Sequence, residues 1–185
     1  MNAEDFYRAF DAGLTATPLP GATRRLAGRG SKWKIPLGAG HVALSFATNS
    51  RVAGLAAHWP GEFRPTISWT AGAGKELPAK DVSFFQYTLP AENHAHVRLM
   101  QQAVAKFLAG THADPGLRDL LDPDAEPKPN HDRWFYYFDV DDADAWGRWF
   151  GGALPGWLAR FAAAPESLED WCWRVLWPHL SRGKQ

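Results

Sequence analysis

Apolar side chains recur along the chain at two different periods, and the switches between them divide it into elements. Phe6, Tyr7, Phe10 and Leu14 fall on one helical face and predict an amphipathic helix over residues 3–14. Residues 15–31, rich in Thr, Pro, Gly and Arg, predict a loop. From Trp33 the period drops to two. Trp33, Ile35 and Leu37 alternate with Lys32, Lys34 and Pro36; Val42, Leu44 and Phe46 alternate with His41, Ala43 and Ser45. Phe63, Pro65, Ile67 and Trp69 alternate with Arg64, Thr66 and Ser68. Such alternation predicts strands with one buried face, because successive side chains point to opposite sides of a sheet. Pro65 has no N–H for a ladder, so it predicts an edge strand or a bulge. Residues 51–57 and 82–88 are two further strand candidates. Short links between the runs favour an antiparallel meander, since parallel neighbours need a long crossover.

Helical spacing returns over residues 90–109, where Val97, Met100, Val104, Phe107 and Leu108 form a stripe between Pro90 and Gly110. Residues 111–131 read as a loop, with one helical turn near Leu117–Leu121. Residues 133–140 carry aromatics on both faces and predict a strand buried on both sides, hence a central one. Trp146, Trp149, Phe150, Ala153, Leu154, Trp157, Leu158 and Phe161 then keep steps of three and four. Gly151, Gly152 and Pro155 interrupt that phase and predict two helices joined by a kink. A last helix is expected from Pro165 to Pro178, with Ser167 and Asp170 at capping-box spacing. Its buried stripe is Leu168, Trp171, Cys172, Val175 and Leu176. The sum is a single α+β domain over residues 1–185. Its sheet-rich part, 1–140, holds an antiparallel sheet of about five or six strands with an N-terminal helix and a middle helix. A C-terminal helical cluster over 141–185 packs on that sheet.

Composition changes this picture in three ways. Ten Trp residues, six of them after residue 140, imply large rigid contact surfaces in a core or at an interface. A single cysteine, Cys172, excludes an intramolecular disulfide and any multi-cysteine metal site. No run of 18 uncharged apolar residues exists, so no transmembrane helix is expected. The start, Met1-Asn2-Ala3-Glu4-Asp5, lacks the basic and apolar regions of a secretory signal, and the expected location is cytoplasmic.

Charge is balanced, with 20 bases and 20 acids, but unevenly distributed. Residues 1–112 hold 12 bases and 7 acids, a balance of +5; residues 113–144 hold 3 bases and 10 acids, a balance of −7. An acidic band of this kind suits a basic partner, or it supplies solvated loops and helix caps. At its end lie Asp139, Asp141, Asp142 and Asp144. Clustered carboxylates can bind a hard cation, but the EF-hand pattern fails. Counted from Asp139, Asp144 and Phe150 stand where Gly and Glu are required; counted from Asp141, Trp146 and Gly152 do. Capping is the better reading: Asp141 or Asp142 can cap the following helix, and Asp144 meets the positive end of its dipole.

The remaining constellations are weaker. Trp69 and Glu76 stand where a phosphate loop at Gly72-Ala73-Gly74-Lys75 would need Gly and Ser or Thr. His94 and His96 fall on opposite sides of the predicted helix, so one helix cannot turn both onto a metal. Cys172 sits in a buried stripe and reads as a small hydrophobe. Arg24, Arg25, Arg29, Lys32 and Lys34, interleaved with Gly28, Gly30 and Trp33, could bind phosphates. They also suit a solvated loop leading into an edge strand guarded by Lys. Trp173 and Trp177 share one face of the last helix and either pack within the chain or anchor a partner.

No catalytic constellation emerges. The expected function is a non-catalytic, cytoplasmic protein-binding module, concretely a bacterial immunity protein or inhibitor that neutralises a basic toxin or effector by direct binding. Its contact residues would be Asp122, Asp124, Glu126, Asp141, Asp142 and Asp144, with Trp134 as an aromatic anchor. No cofactor, metal or membrane partner is expected. The alternative is a small hydrolase or transferase in which His41, His58, His94 or His131 acts as base with a carboxylate. A third reading is a nucleic-acid module using the basic cluster at 24–34.

Overall fold

The computed structural model describes residues 1–27, 30–48, 61–70, 80–81, 95–110 and 135–163. Helix α1 spans Ala3–Thr15. The Asn2 side chain caps it, accepting from the Asp5 N–H at 2.8 Å, and Glu4 and Asp5 meet the positive end of its dipole. Phe6, Tyr7, Phe10 and Leu14 are buried, as their spacing requires.

Four strands follow, β1 (Thr23–Ala27), β2 (Gly30–Leu37), β3 (Gly40–Thr48) and β4 (Gly61–Thr70), each antiparallel to the one before. Strand β1 corrects the expectation of a loop over 15–31. Thr23, Arg24, Arg25 and Leu26 are all exposed, so no burial pattern marks them; pairing to β2 makes them a strand. Leu37 pairs with Gly40 across a two-residue turn in which Gly38 takes φ +57°, a left-handed value that favours glycine.

Strand β4 is internal, against the expectation from Pro65. Strand β3 lines one side of it. On the other side, β6 (Phe135–Tyr137) pairs with residues 61–63 and β5 (Lys80–Asp81) with residues 66–67. Pro65 falls between those two partners, where that edge of β4 carries no ladder among the described residues. Across the other edge it faces Phe46, whose carbonyl accepts from the Tyr7 hydroxyl at 3.5 Å. The same hydroxyl accepts from the Thr48 N–H at 3.1 Å. Gly61 makes room for its register partner Tyr137: a Cβ there would lie 2.4 Å from the ring.

Helix α2 spans Ala95–Gly110 and α3 spans Val140–Ala163. Of the run expected as a strand over 133–140, the described residues 135–140 are a three-residue strand, a turn and the first residue of α3. Its burial on both faces is as expected. Phe135 and Tyr137 join the main core under α1 and α3, while Tyr136 turns to Ala103, Val104 and Phe107 of α2. Helix α3 is a single continuous helix with Pro155 inside it, where two helices were expected. Trp146, Phe150, Leu154 and Trp157 form one continuous buried face past Gly151 and Gly152 to Pro155, which is exposed. An interior proline costs a helix about 3 kcal/mol, while burying one such side chain contributes about 1.5–3 kcal/mol. Leu154 and Trp157, buried on either side of Pro155, together offset it.

Helices α1 and α3 cross at backbone contact. A Cβ on Gly13 would lie 2.2 Å from the Asp144 carbonyl oxygen, and one on Gly147 would lie 2.1 Å from that of Phe10. This approach brings both helices onto the sheet, where Phe6, Phe10, Phe46, Phe63, Phe135, Trp146 and Phe150 interlock at ring-centroid distances from 4.3 to 6.2 Å. The predicted last helix with Cys172, Trp173 and Trp177, the strand candidates 51–57 and 82–88, and the Gly72–Lys75 segment lie outside the described residues.

Candidate functional site: the turn between β6 and α3

Asp139 caps α3, in place of the Asp141 or Asp142 expected from sequence. Its carboxylate accepts from the Asp142 N–H at 2.9 Å, and its carbonyl accepts the first helical bond, from Ala143 at 3.2 Å. Asp142, three residues on, turns its carboxylate back to the Phe138 N–H at 2.8 Å. The arrangement is a capping box displaced by one residue. Between the two carboxylates lies the Lys106 ammonium from α2, 2.8 Å from Asp139 and 2.6 Å from Asp142. One lysine therefore ties α2 to the start of α3.

The electrostatics follow the geometry. Burial works against charge on Asp139, but the Lys106 ammonium and the N–H groups of Asp142 and Asp141 outweigh it, holding the carboxyl below its usual range. Burial likewise opposes charge on Lys106, and its hydrogen bonds to Asp139 and Asp142 more than offset this, raising the ammonium above its ordinary value. The ends of the turn are anchored too. The Trp146 indole N–H donates to the Tyr136 carbonyl at 2.8 Å.

This rigid frame displays what it does not bury. Phe138 is 45% exposed and Val140 is 49% exposed, and Asp141 beside them is exposed as well. Of the acids named from sequence, Asp141 faces solvent, Asp142 is buried in the Lys106 pair, and Asp144 pairs with Arg148 one turn on at 2.7 Å. Asp122, Asp124, Glu126 and Trp134 lie outside the described residues. The sequence reading missed Phe138, Val140 and Lys106. Assigning 133–140 wholly to a strand hid the first two. An acid three residues after Asp139, as in a capping box, was the available signal for a helix starting there.

The basic cluster divides. Arg24 pairs with Asp11 of α1, whose carboxylate also accepts from the Trp33 indole at 3.0 Å and the Ser31 hydroxyl at 3.2 Å. Burial nevertheless raises the Asp11 carboxyl above its usual range, against the opposing effect of these partners. Arg25, Lys32 and Lys34 are exposed, and Arg29 lies outside the described residues. His41 is half-buried on β3, while His58, His94 and His131 lie outside the described residues. Among the described residues, no three His, Cys, Asp or Glu side chains are grouped to hold a metal ion, and no helix is long and apolar enough to cross a membrane. Comparison with protein-family models, curated proteins and solved structures gives no match.

Proposed function

We propose that the chain is a protein-binding module, of the kind that neutralises a toxin or effector as an immunity protein or inhibitor, and that its partner docks on the β6–α3 turn. The observation that carries this reading is the exposure of Phe138 and Val140 beside Asp141 on a backbone fixed by the Asp139–Lys106–Asp142 network. A side chain displayed on a rigid turn loses little freedom on binding, so its burial translates into affinity. Covering two half-exposed apolar side chains contributes roughly 1 kcal/mol each. Asp141 and the acidic segment 113–144 would steer a basic partner toward the turn.

The test is affinity capture from the native lysate with the wild-type chain and with Phe138→Ser/Asp141→Lys, each at low and high salt. The reading expects one protein retained at stoichiometric level by the wild type, weakened by salt and lost with the variant. Equal retention by the variant, or no retained protein at either salt, overturns it.

A further inference from the structure

The sheet has a second face, turned away from α1 and α3; α2 packs on it at Tyr136 of β6, and the rows from β1 to β4 are rich in cations and hydroxyls. Cross-strand register defines it. Arg25 of β1 faces Lys32 of β2, which faces Ser45 of β3, which faces Thr66 of β4. The next row runs Thr23, Lys34, Ala43, Ser68, and the third runs Pro36, His41, Thr70. Arg25, Lys32 and Lys34 are exposed; Ala43, Ser45, Thr66 and Ser68 are half-buried and small. From β1 to β4 these rows contain cations, hydroxyls and an imidazole but no carboxylate. Among the described strands, the acids on this face are Asp81 of β5, in register with Thr66, and Glu62, four residues before Thr66 on β4 and opposite Tyr136.

Fold stability does not call for this pattern. Like charges directly opposite on neighbouring strands, as Arg25 and Lys32 are, destabilise a sheet. A lysine alone would guard the edge against pairing; a second cation opposite it and a third one row on do more than that. Exposed cations at the rim of a floor of small hydroxyl side chains are what a chain of phosphates needs. The ammonium and guanidinium groups neutralise charge, and the small residues let the backbone approach. The three rows carry no aromatic side chain on which a base could stack, so recognition runs through the phosphates and not through unstacked bases.

We propose that this face, centred on Arg25, Lys32 and Lys34, binds the phosphate backbone of double-stranded nucleic acid without reading its sequence. The site is separate from the β6–α3 turn and does not rest on the function proposed there.

The experiment is fluorescence anisotropy of a labelled 20-base-pair DNA duplex titrated with the full chain from 25 to 200 mM salt. Micromolar binding is expected at the lowest salt. About three phosphate contacts predict a logarithmic salt slope near −3. The variant Arg25→Gln/Lys32→Gln/Lys34→Gln should bind at least tenfold more weakly, with a slope near zero. The single change Lys32→Gln is the second readout. It should weaken binding severalfold while leaving the thermal midpoint unchanged or higher, because it removes a like-charge pair. A single strand of equal length should bind more weakly than the duplex, and a charge-matched sulfated polysaccharide should compete poorly. No binding at 25 mM salt, unchanged binding by the Gln variants, preference for the single strand, or equal competition by the polysaccharide would each overturn the proposal. The single change Phe138→Ser, which leaves the charge unaltered, should weaken binding of the partner at the β6–α3 turn yet bind the duplex as the wild type does, which keeps the two proposals apart.

Discussion

Asp11 is a carboxylate that the fold buries and then surrounds with donors. Its partners Arg24, Ser31 and Trp33 all lie on the β1–β2 hairpin, so this one side chain fastens α1 to the edge of the sheet. Truncation to Ala would leave a half-exposed guanidinium, a hydroxyl and an indole N–H without it. Breaking such a cluster costs about 2–4 kcal/mol, read as a lower urea midpoint at unchanged slope. The pH dependence has a definite sign. Because the folded-state pKa lies above the unfolded 3.8, the folded form binds the proton more tightly. Its contribution to stability is greatest below 3.8 and falls as pH rises through the raised value. Asp139 has the opposite sign: its pKa is lowered on folding, so its contribution is present above 3.8 and lost as pH falls through the lowered value. Urea midpoints of Asp11→Asn and Asp139→Asn across the acid range should therefore deviate from wild type in opposite senses. Parallel profiles would contradict the assignment of Asp11 as a desolvated acid and Asp139 as a paired one.

At the level of elements, glycine positions in α3 that look alike in sequence differ in what surrounds them. Gly147 lies against the Phe10 carbonyl at the α1 crossing, whereas a Cβ on Gly152 would meet nothing within 4 Å. Gly147→Ala must push the helices apart and disturb the aromatic core between them, a loss of about 1–3 kcal/mol. Gly152→Ala removes only glycine's backbone freedom and should stabilise by about 0.5–1 kcal/mol. Thermal midpoints moving in opposite directions would confirm the crossing; two shifts of one sign would refute it. The contrast also shows what was legible. Steps of three and four located the buried face of α3, and strict alternation located β2, β3 and β4. Both signals report burial on one side. Strand β1 was not legible because Thr23, Arg24, Arg25 and Leu26 are exposed and hydrogen bonding alone makes them a strand. The continuity of α3 past Pro155 was hidden because a local rule about proline says nothing of Leu154 and Trp157, buried on one face on either side of it. Likewise, the candidate site was half legible: acid spacing pointed to a helix cap, but the partner lysine lies more than thirty residues earlier and meets the acids only in the fold.

At the scale of the whole molecule, the two faces of the sheet are covered unequally. Among the described residues, eighteen buried ones from α1, α3 and the strands form the main cluster, whereas Ala103, Val104, Phe107 and Tyr136 form the one at α2. Among the described residues, α2 is also tied by Leu99 and Met100 against the main cluster, by the His96 ring 5.2 Å from that of Trp149 and by the Lys106 ammonium held by two carboxylates. A cooperative unit with fewer buried contacts opens at lower free energy than the core it rests on. Native-state hydrogen exchange should therefore find α2 amides opening well before those of β3. Lys106→Met removes the cation and leaves Asp142, 7% exposed, without its charge partner. That should lower the opening free energy of α2 by about 2 kcal/mol while the β3 amides shift by less. The β6–α3 turn would loosen with it, since Asp139 and Asp142 lose the ion that holds them together. Uniform exchange across α2 and β3, or an equal shift in both, would mean that the two layers unfold as one unit. The turn that displays Phe138 and Val140 would then draw its rigidity from the main core and not from α2.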